Sequence, residues 1–155
     1  MENELIGRKK EIAILEKAYQ SKRAELLAIT GRRRVGKTFL IKETYKTQIN
    51  FELTGLQNAP LSEQLQNFSY QLAEFMEMDM PLQIPKNWLE AFRMLINFLK
   101  KKQGKQKQVV FLDELPWLAT PKSGFLRGLS YFWNSWAINQ QVLSLIHISE
   151  PTRPY

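Results

Sequence analysis

ITGRRRVGKTFLI, residues 29–41, is the stretch on which the reading of this chain turns. From Gly31 to Thr38 the glycines, the lysine and the hydroxyl stand at the spacing of a phosphate-binding loop, G-x-x-x-x-G-K-T. Such a loop turns backbone N–H groups into a concave cradle and aims the N-terminus of the next helix at the anion. Gly31 allows a tight exit from a strand, and Gly36 lets the backbone approach the phosphates. Lys37 reaches the β- and γ-phosphates as a point charge, and Thr38 offers its hydroxyl to Mg²⁺. Arg32, Arg33, Arg34 and Val35 fill the middle of the loop, where backbone makes the contacts and side chains point away. Three consecutive arginines are therefore compatible with it. Phe39 completes the nucleotide-binding candidates at the head of the helix. The competing reading is a basic surface turn that ends in Gly-Lys-Thr by chance.

The flanking sequence supplies the context that the loop requires. ELLAIT (25–30) is an apolar run of strand length, which Gly31 is expected to stop, and KTFLIKETY (37–45) reads as a helix. A second signal lies 76 residues beyond Lys37. VVFLDE (109–114) is a continuous apolar run ending in two carboxylates, the pattern of a strand covered on both faces, as in parallel sheets. At its tip Asp113 is placed to hold Mg²⁺, and Glu114 to polarise the water that attacks a γ-phosphate.

The remaining elements follow from periodicity. Ile12, Leu15, Ala18 and Tyr19 mark an amphipathic helix over 9–19, and INFELTG (49–55) alternates as a strand ending at Gly55. Leu61, Leu65, Phe68, Leu72 and Phe75 recur at helical spacing, Pro81 and Pro85 break the chain, and Trp88 to Leu99 form another apolar stripe. Phe125, Leu129, Phe132, Trp133 and Trp136 mark a last helix within 123–138. Strands alternating with helices predict an α/β fold with a parallel sheet. The aromatic stripes read as core or interface packing, since base stacking needs interleaved exposed basic residues that these helices largely lack.

With 155 residues the chain suits one compact domain. Nine Phe and four Trp in a chain that is 44% hydrophobic can build a core, which argues against bulk disorder. The absence of cysteine excludes disulfides and thiolate zinc sites, and one histidine argues against a His-based metal site. MENELIGRKKEI (1–12) carries charge where a signal peptide needs an apolar run. No uninterrupted apolar stretch approaches the roughly 18 residues of a membrane span. The expectation is a soluble, cytoplasmic protein with no membrane partner. The net charge of +7 is local: 22 basic residues less Arg32–Arg34 and Lys100, Lys101, Lys102, Lys105 and Lys107 leaves 14, against 15 acids. The lysine run, KKKQGKQK (100–107), reads as a solvated loop.

Taken together, GRRRVGKTFLI and VVFLDELPWL resemble the archaeal-type ATPase family, part of the AAA/STAND P-loop ATPases. IGRKKEI (Ile6–Ile12) resembles that family's N-terminal Gly-Arg box, which lies beside the adenine, so the resemblance makes Gly7 and Arg8 nucleotide-proximal candidates. FWNSWA (132–137) resembles the family's helix after the acidic strand. The resemblance covers residues 5 to about 142. It implies a P-loop NTPase three-layer sandwich around a parallel sheet, with ATP and Mg²⁺ as ligands. It also implies Mg-dependent ATP hydrolysis by Lys37 and Glu114, used as a conformational switch. DNA or protein partners would be engaged by the parent's C-terminal domains.

LSLIHISEPTRPY (143–155) resembles, almost residue for residue, a translated transposase adapter used in sequencing-library preparation. The expected organisation is therefore residues 1–142 as the N-terminal part of an ATPase domain and 143–155 as a non-native tail, which removes His147 from the candidates. In the family a sensor strand lies between the loop strand and the acidic strand, and a further strand, a helical lid and usually a winged helix follow. A chain ending at Val142 lacks these, so the sheet is expected to be incomplete on its C-terminal side and hydrolysis impaired. VLSLIHI (142–148) is apolar and alternating, and can dock as a strand where an authentic one once stood. Two rival functions use the same features: a small-molecule kinase sharing the phosphate loop, and a nucleic-acid-binding module driven by the two basic clusters.

Overall fold

The computed structural model describes residues 9–32, 36–80, 82–104 and 106–150, with the backbone alone at 30–32 and 147–150. Helix α1 (Lys9–Gln20) leads into strand β1 (Glu25–Arg32), followed by α2 (Lys37–Tyr45) and β2 (Ile49–Thr54). Two longer helices, α3 (Leu61–Phe75) and α4 (Trp88–Lys101), precede β3 (Gln108–Asp113). A single turn, α5 (Leu115–Leu118), then helix α6 (Phe125–Ser135) and a short 3₁₀ turn (Ala137–Asn139) lead to β4 (Val142–Glu150).

The four strands form one parallel sheet in the order β1-β4-β3-β2. Alternation along each inner strand feeds two cores. Val109 and Phe111 of β3, with Leu143 and Leu145 of β4, face Leu15 and Ala18 of α1 and Leu40, Ile41 and Tyr45 of α2. Val110 and Leu112, with Val142 and Ile146, face α3, α4 and α6. β3 is buried at all six positions, as its unbroken apolar run predicts for a strand between two helix layers. The result is the expected three-layer α/β sandwich.

The second core is aromatic. Trp88 meets Phe125 edge-on with ring centroids 4.9 Å apart, and Phe92 packs on Phe132 at 5.6 Å. The helical aromatic stripes are thus packing surfaces. The outer edge of β2 is covered by α3: Asn67 Nδ2 donates to the Thr54 carbonyl and Gln71 Nε2 to the Glu52 carbonyl, each at 3.1 Å. Side-chain amides take up acceptors that another strand would otherwise pair.

Two sequence expectations need correction, on Gly31 and on Lys107, whereas the apolar, alternating segment Val142–Glu150 docks as a strand in the slot between β1 and β3, as its pattern allowed, and pairs with both neighbours. Two strands with unpaired inner edges offer such a segment a complete ladder. Gly31 does not end β1: the ladder continues through Gly31↔Ser149 and Arg32↔Glu150, because β4 is long enough to carry it there. Lys107 is not solvated. It is 5% exposed, and its Nζ donates to the carbonyls of Ala18 and Arg23 at 2.6 Å and of Ser21 at 3.2 Å. It therefore caps the C-terminal end of α1, where the helix dipole favours a cation. Burial pushes its ammonium pKa below the ordinary value, with Glu25 pulling the other way.

Candidate phosphate and magnesium site

Parallel α/β sheets hold ligands at the C-terminal ends of their strands, and Gly36, Lys37, Thr38, Asp113 and Glu114 lie at that end of this sheet. Gly36 sits at φ 80°, ψ 18° immediately before α2. That left-handed conformation suits glycine, and the turn starts a helix whose N-terminus faces the strand ends. The Leu40 amide donates to the Gly36 carbonyl at 2.9 Å, closing the first helical turn. Lys37 and Thr38 are therefore the first two residues of α2, and Phe39, half-buried, is the third.

Thr38 Oγ1 donates to Asp113 Oδ2 at 2.9 Å. Asp113 ends β3 and is buried, with 6% exposure. Its other oxygen, Oδ1, accepts from the Glu114 amide at 2.9 Å. Glu114 lies one residue beyond the strand rather than inside it, at φ 57°, ψ 50°. A non-glycine residue held there carries strain of roughly 1–3 kcal/mol, a condition that clusters at functional sites. Its surroundings hold it in place. The Trp117 amide donates to the Glu114 carbonyl at 3.0 Å, and the Gly55 amide to the Asp113 carbonyl at 3.0 Å. Gly55 is needed at the end of β2, because a Cβ there would lie 2.7 Å from the Glu114 carbonyl oxygen.

A residue that sequence reasoning did not single out also enters the site. Glu11 Oε2 stands 2.7 Å from Lys37 Nζ, with the lysine side chain 16% and the glutamate 41% exposed. The available signal was positional: Glu11 precedes Leu15 by four and Ala18 by seven, which places it on the buried stripe of α1. A pocket of about 280 Å³ opens beside this pair, lined by Ile14, Leu15, Leu27 and Leu40.

Gly31 and Arg32 lie in β1. Arg33, Arg34 and Val35, and with them Gly7 and Arg8 of the Gly-Arg box, lie outside the described residues. Among the described residues no group of three or more His, Cys, Asp or Glu could hold a metal, and no helix is long and apolar enough to cross a membrane. The donor set suits one hard cation all the same. Mg²⁺ takes one or two protein oxygens and completes an octahedron with phosphate and water, and Thr38 and Asp113 present a hydroxyl and a carboxylate side by side.

A parallel sheet between two helix layers, whose first strand leads through Gly36, Lys37 and Thr38 into a helix and whose acidic strand tip lies one strand further on, defines the P-loop class of nucleotide-binding domains. Within that class, the chain belongs to the ATPase domain family found predominantly in Archaea, which it matches over residues 5–152. It is 47% identical over 38 residues to an uncharacterized ATP-binding protein of Methanocaldococcus jannaschii; that segment is 24% of this chain and 64% of the relative. Among solved structures it resembles a chain from the structure of Drosophila ORC bound to DNA, with TM-score 0.60 and 15% identity. That likeness covers 95% of this chain and 41% of the ORC chain, and concerns the fold.

Proposed function

We propose that the chain binds Mg-ATP through residues 31–38 and that Glu114 activates water for hydrolysis. The observation that carries this reading is the 2.9 Å hydrogen bond from Thr38 to Asp113, which joins the phosphate-loop helix to the acidic strand tip. Lys37 neutralises charge on the β- and γ-phosphates. Thr38 and Asp113 would hold Mg²⁺ through a hydroxyl and a carboxylate, and the ion would supply Lewis-acid stabilisation of the charge that develops on the phosphates. Asp113 also fixes the turn that carries Glu114, through its bond to the Glu114 amide. The Glu114 carboxylate then takes a proton from the water whose oxygen forms the new bond to the γ-phosphorus as the bond to the ADP oxygen breaks. Gly7 and Arg8 are proposed beside the adenine on the family resemblance, as is a switch-type role of the parent toward a DNA or protein partner; a cytoplasmic location is proposed on the composition and charge pattern of the sequence.

We further infer that this chain turns ATP over slowly. Gly31 and Arg32, which should curl around phosphate, are paired in the sheet with Ser149 and Glu150. The strand that holds them belongs to the segment we read as non-native.

The experiment is a pair of measurements on Glu114→Gln: ATP affinity by calorimetry, and phosphate release with Mg²⁺ present. Affinity should stay within about threefold of wild type, while release falls by about 100-fold or more, the scale of a lost general base. Release at the wild-type rate would remove Glu114 from its role.

A further inference from the structure

We propose that Glu11 is the resident counter-ion of Lys37, and that nucleotide binding exchanges its carboxylate for phosphate oxygens on that ammonium. The inference rests on the reading of residues 31–38 as a triphosphate cradle. Glu11 lies in the first turn of α1 and Lys37 opens α2, 26 residues later, yet Oε2 and Nζ are 2.7 Å apart. This is not a chance meeting of two flexible surface chains. Lys37 keeps only 16% of its side-chain surface exposed. Helix α1 is fastened to the body along its length: Leu15 and Ala18 are buried, Tyr45 Oη donates to the Leu15 carbonyl at 2.8 Å, and Lys107 grips its far end. A fixed helix thus delivers a carboxylate to the head of α2, where the helix dipole favours an anion. It meets the same ammonium and the same helix terminus that a phosphate would use.

An incoming triphosphate has to contend with that carboxylate. An ammonium has three donors and can touch two anions, but the anions repel each other and share one positive charge. Glu11 therefore weakens nucleotide binding and sets a concentration threshold for occupancy. Once phosphate takes the lysine, the head of α1 loses a tether. That end of the helix follows directly on Gly7 and Arg8, so the exchange couples occupancy of the phosphate cradle to the N-terminal segment.

The test is calorimetric titration of the full chain with ATP and Mg²⁺, comparing wild type with Glu11→Gln, which keeps the shape and removes the charge. The variant should bind about three- to fivefold more tightly, in keeping with a partly exposed ion pair, and the gap should narrow as salt rises. Glu11→Asp, which keeps the charge, should stay within about twofold of wild type. Hydrogen exchange on the wild type gives a second readout that needs no variant: added ATP should speed exchange in residues 11–14 while slowing it at the head of α2. Equal or weaker binding by Glu11→Gln, or added protection of residues 11–14, overturns the proposal. If the wild type binds ATP but the variant gains nothing, the role of Glu11 alone falls. If the wild type takes up no ATP, the phosphate-loop reading fails and this proposal with it.

Discussion

The Thr38 hydroxyl reaches Asp113 across the full width of a strand: α2 follows β1, Asp113 ends β3, and β4 lies between them, yet Oγ1 and Oδ2 are 2.9 Å apart. Two oxygens from opposite sides of the central strand are thereby brought to one point. If that point is where the cation sits, charge on Asp113 governs Mg²⁺ dependence. Asp113→Asn should lower the Mg²⁺-dependent gain in ATP affinity by about tenfold or more, with metal-free ATP binding unchanged or tighter. Titrations with and without Mg²⁺ read this directly, and an undiminished Mg²⁺ effect would speak against the site.

Gly55 tests the strained turn. A Cβ there would meet the Glu114 carbonyl oxygen at 2.7 Å and Leu118 Cγ and Trp117 Cβ at 3.0 Å. The carbonyl is held by its bond from the Trp117 amide, so it cannot retreat cheaply. Gly55→Ala should cost about 1–3 kcal/mol in urea unfolding, the usual range for overpacking. Because the displaced residue is Glu114 and not the loop, phosphate release should fall further than ATP affinity does.

Lys107 makes a prediction far from the nucleotide. Lys107→Met preserves most of the buried stem but leaves three carbonyls at the end of α1 without their donor. Stability should drop by about 1.5–3 kcal/mol, the range for hydrogen bonds to a charged group. Hydrogen exchange should rise first in the last turn of α1, around Ala18 and Ser21. A variant as stable as wild type would mean that those carbonyls find other partners.

What the sequence disclosed, and what it hid, follows from the range of each interaction. The placement of Gly36, Lys37 and Thr38 at the head of α2 was legible because a glycine turn into a helix is local, fixed by a few adjacent residues. Asp113 was legible because an unbroken apolar run identifies a doubly covered strand and its polar end. Lys107 was not: six neighbouring residues look alike in composition, and what distinguishes it is α1 packed above it, 89 residues earlier at Ala18. Glu11 hid among charged neighbours for the same reason, although its place on the stripe of Leu15 and Ala18 pointed inward. The end of β1 was misjudged because a strand's length depends on its partner as well as its own residues. β4 runs to Glu150 and carries Gly31 and Arg32 into the ladder. Ser144 of that strand is 1% exposed, and its hydroxyl has no hydrogen-bond partner among the described residues.

The most direct single measurement is ATP titration into the wild type and Lys37→Ala, by calorimetry with Mg²⁺ present and folding of each checked by circular dichroism. The wild type should give a saturable one-site isotherm, and Lys37→Ala, equally folded, should lose about 100-fold or more in affinity, two decades being about 2.7 kcal/mol. Equal affinity in the two would contradict a phosphate site built on Lys37.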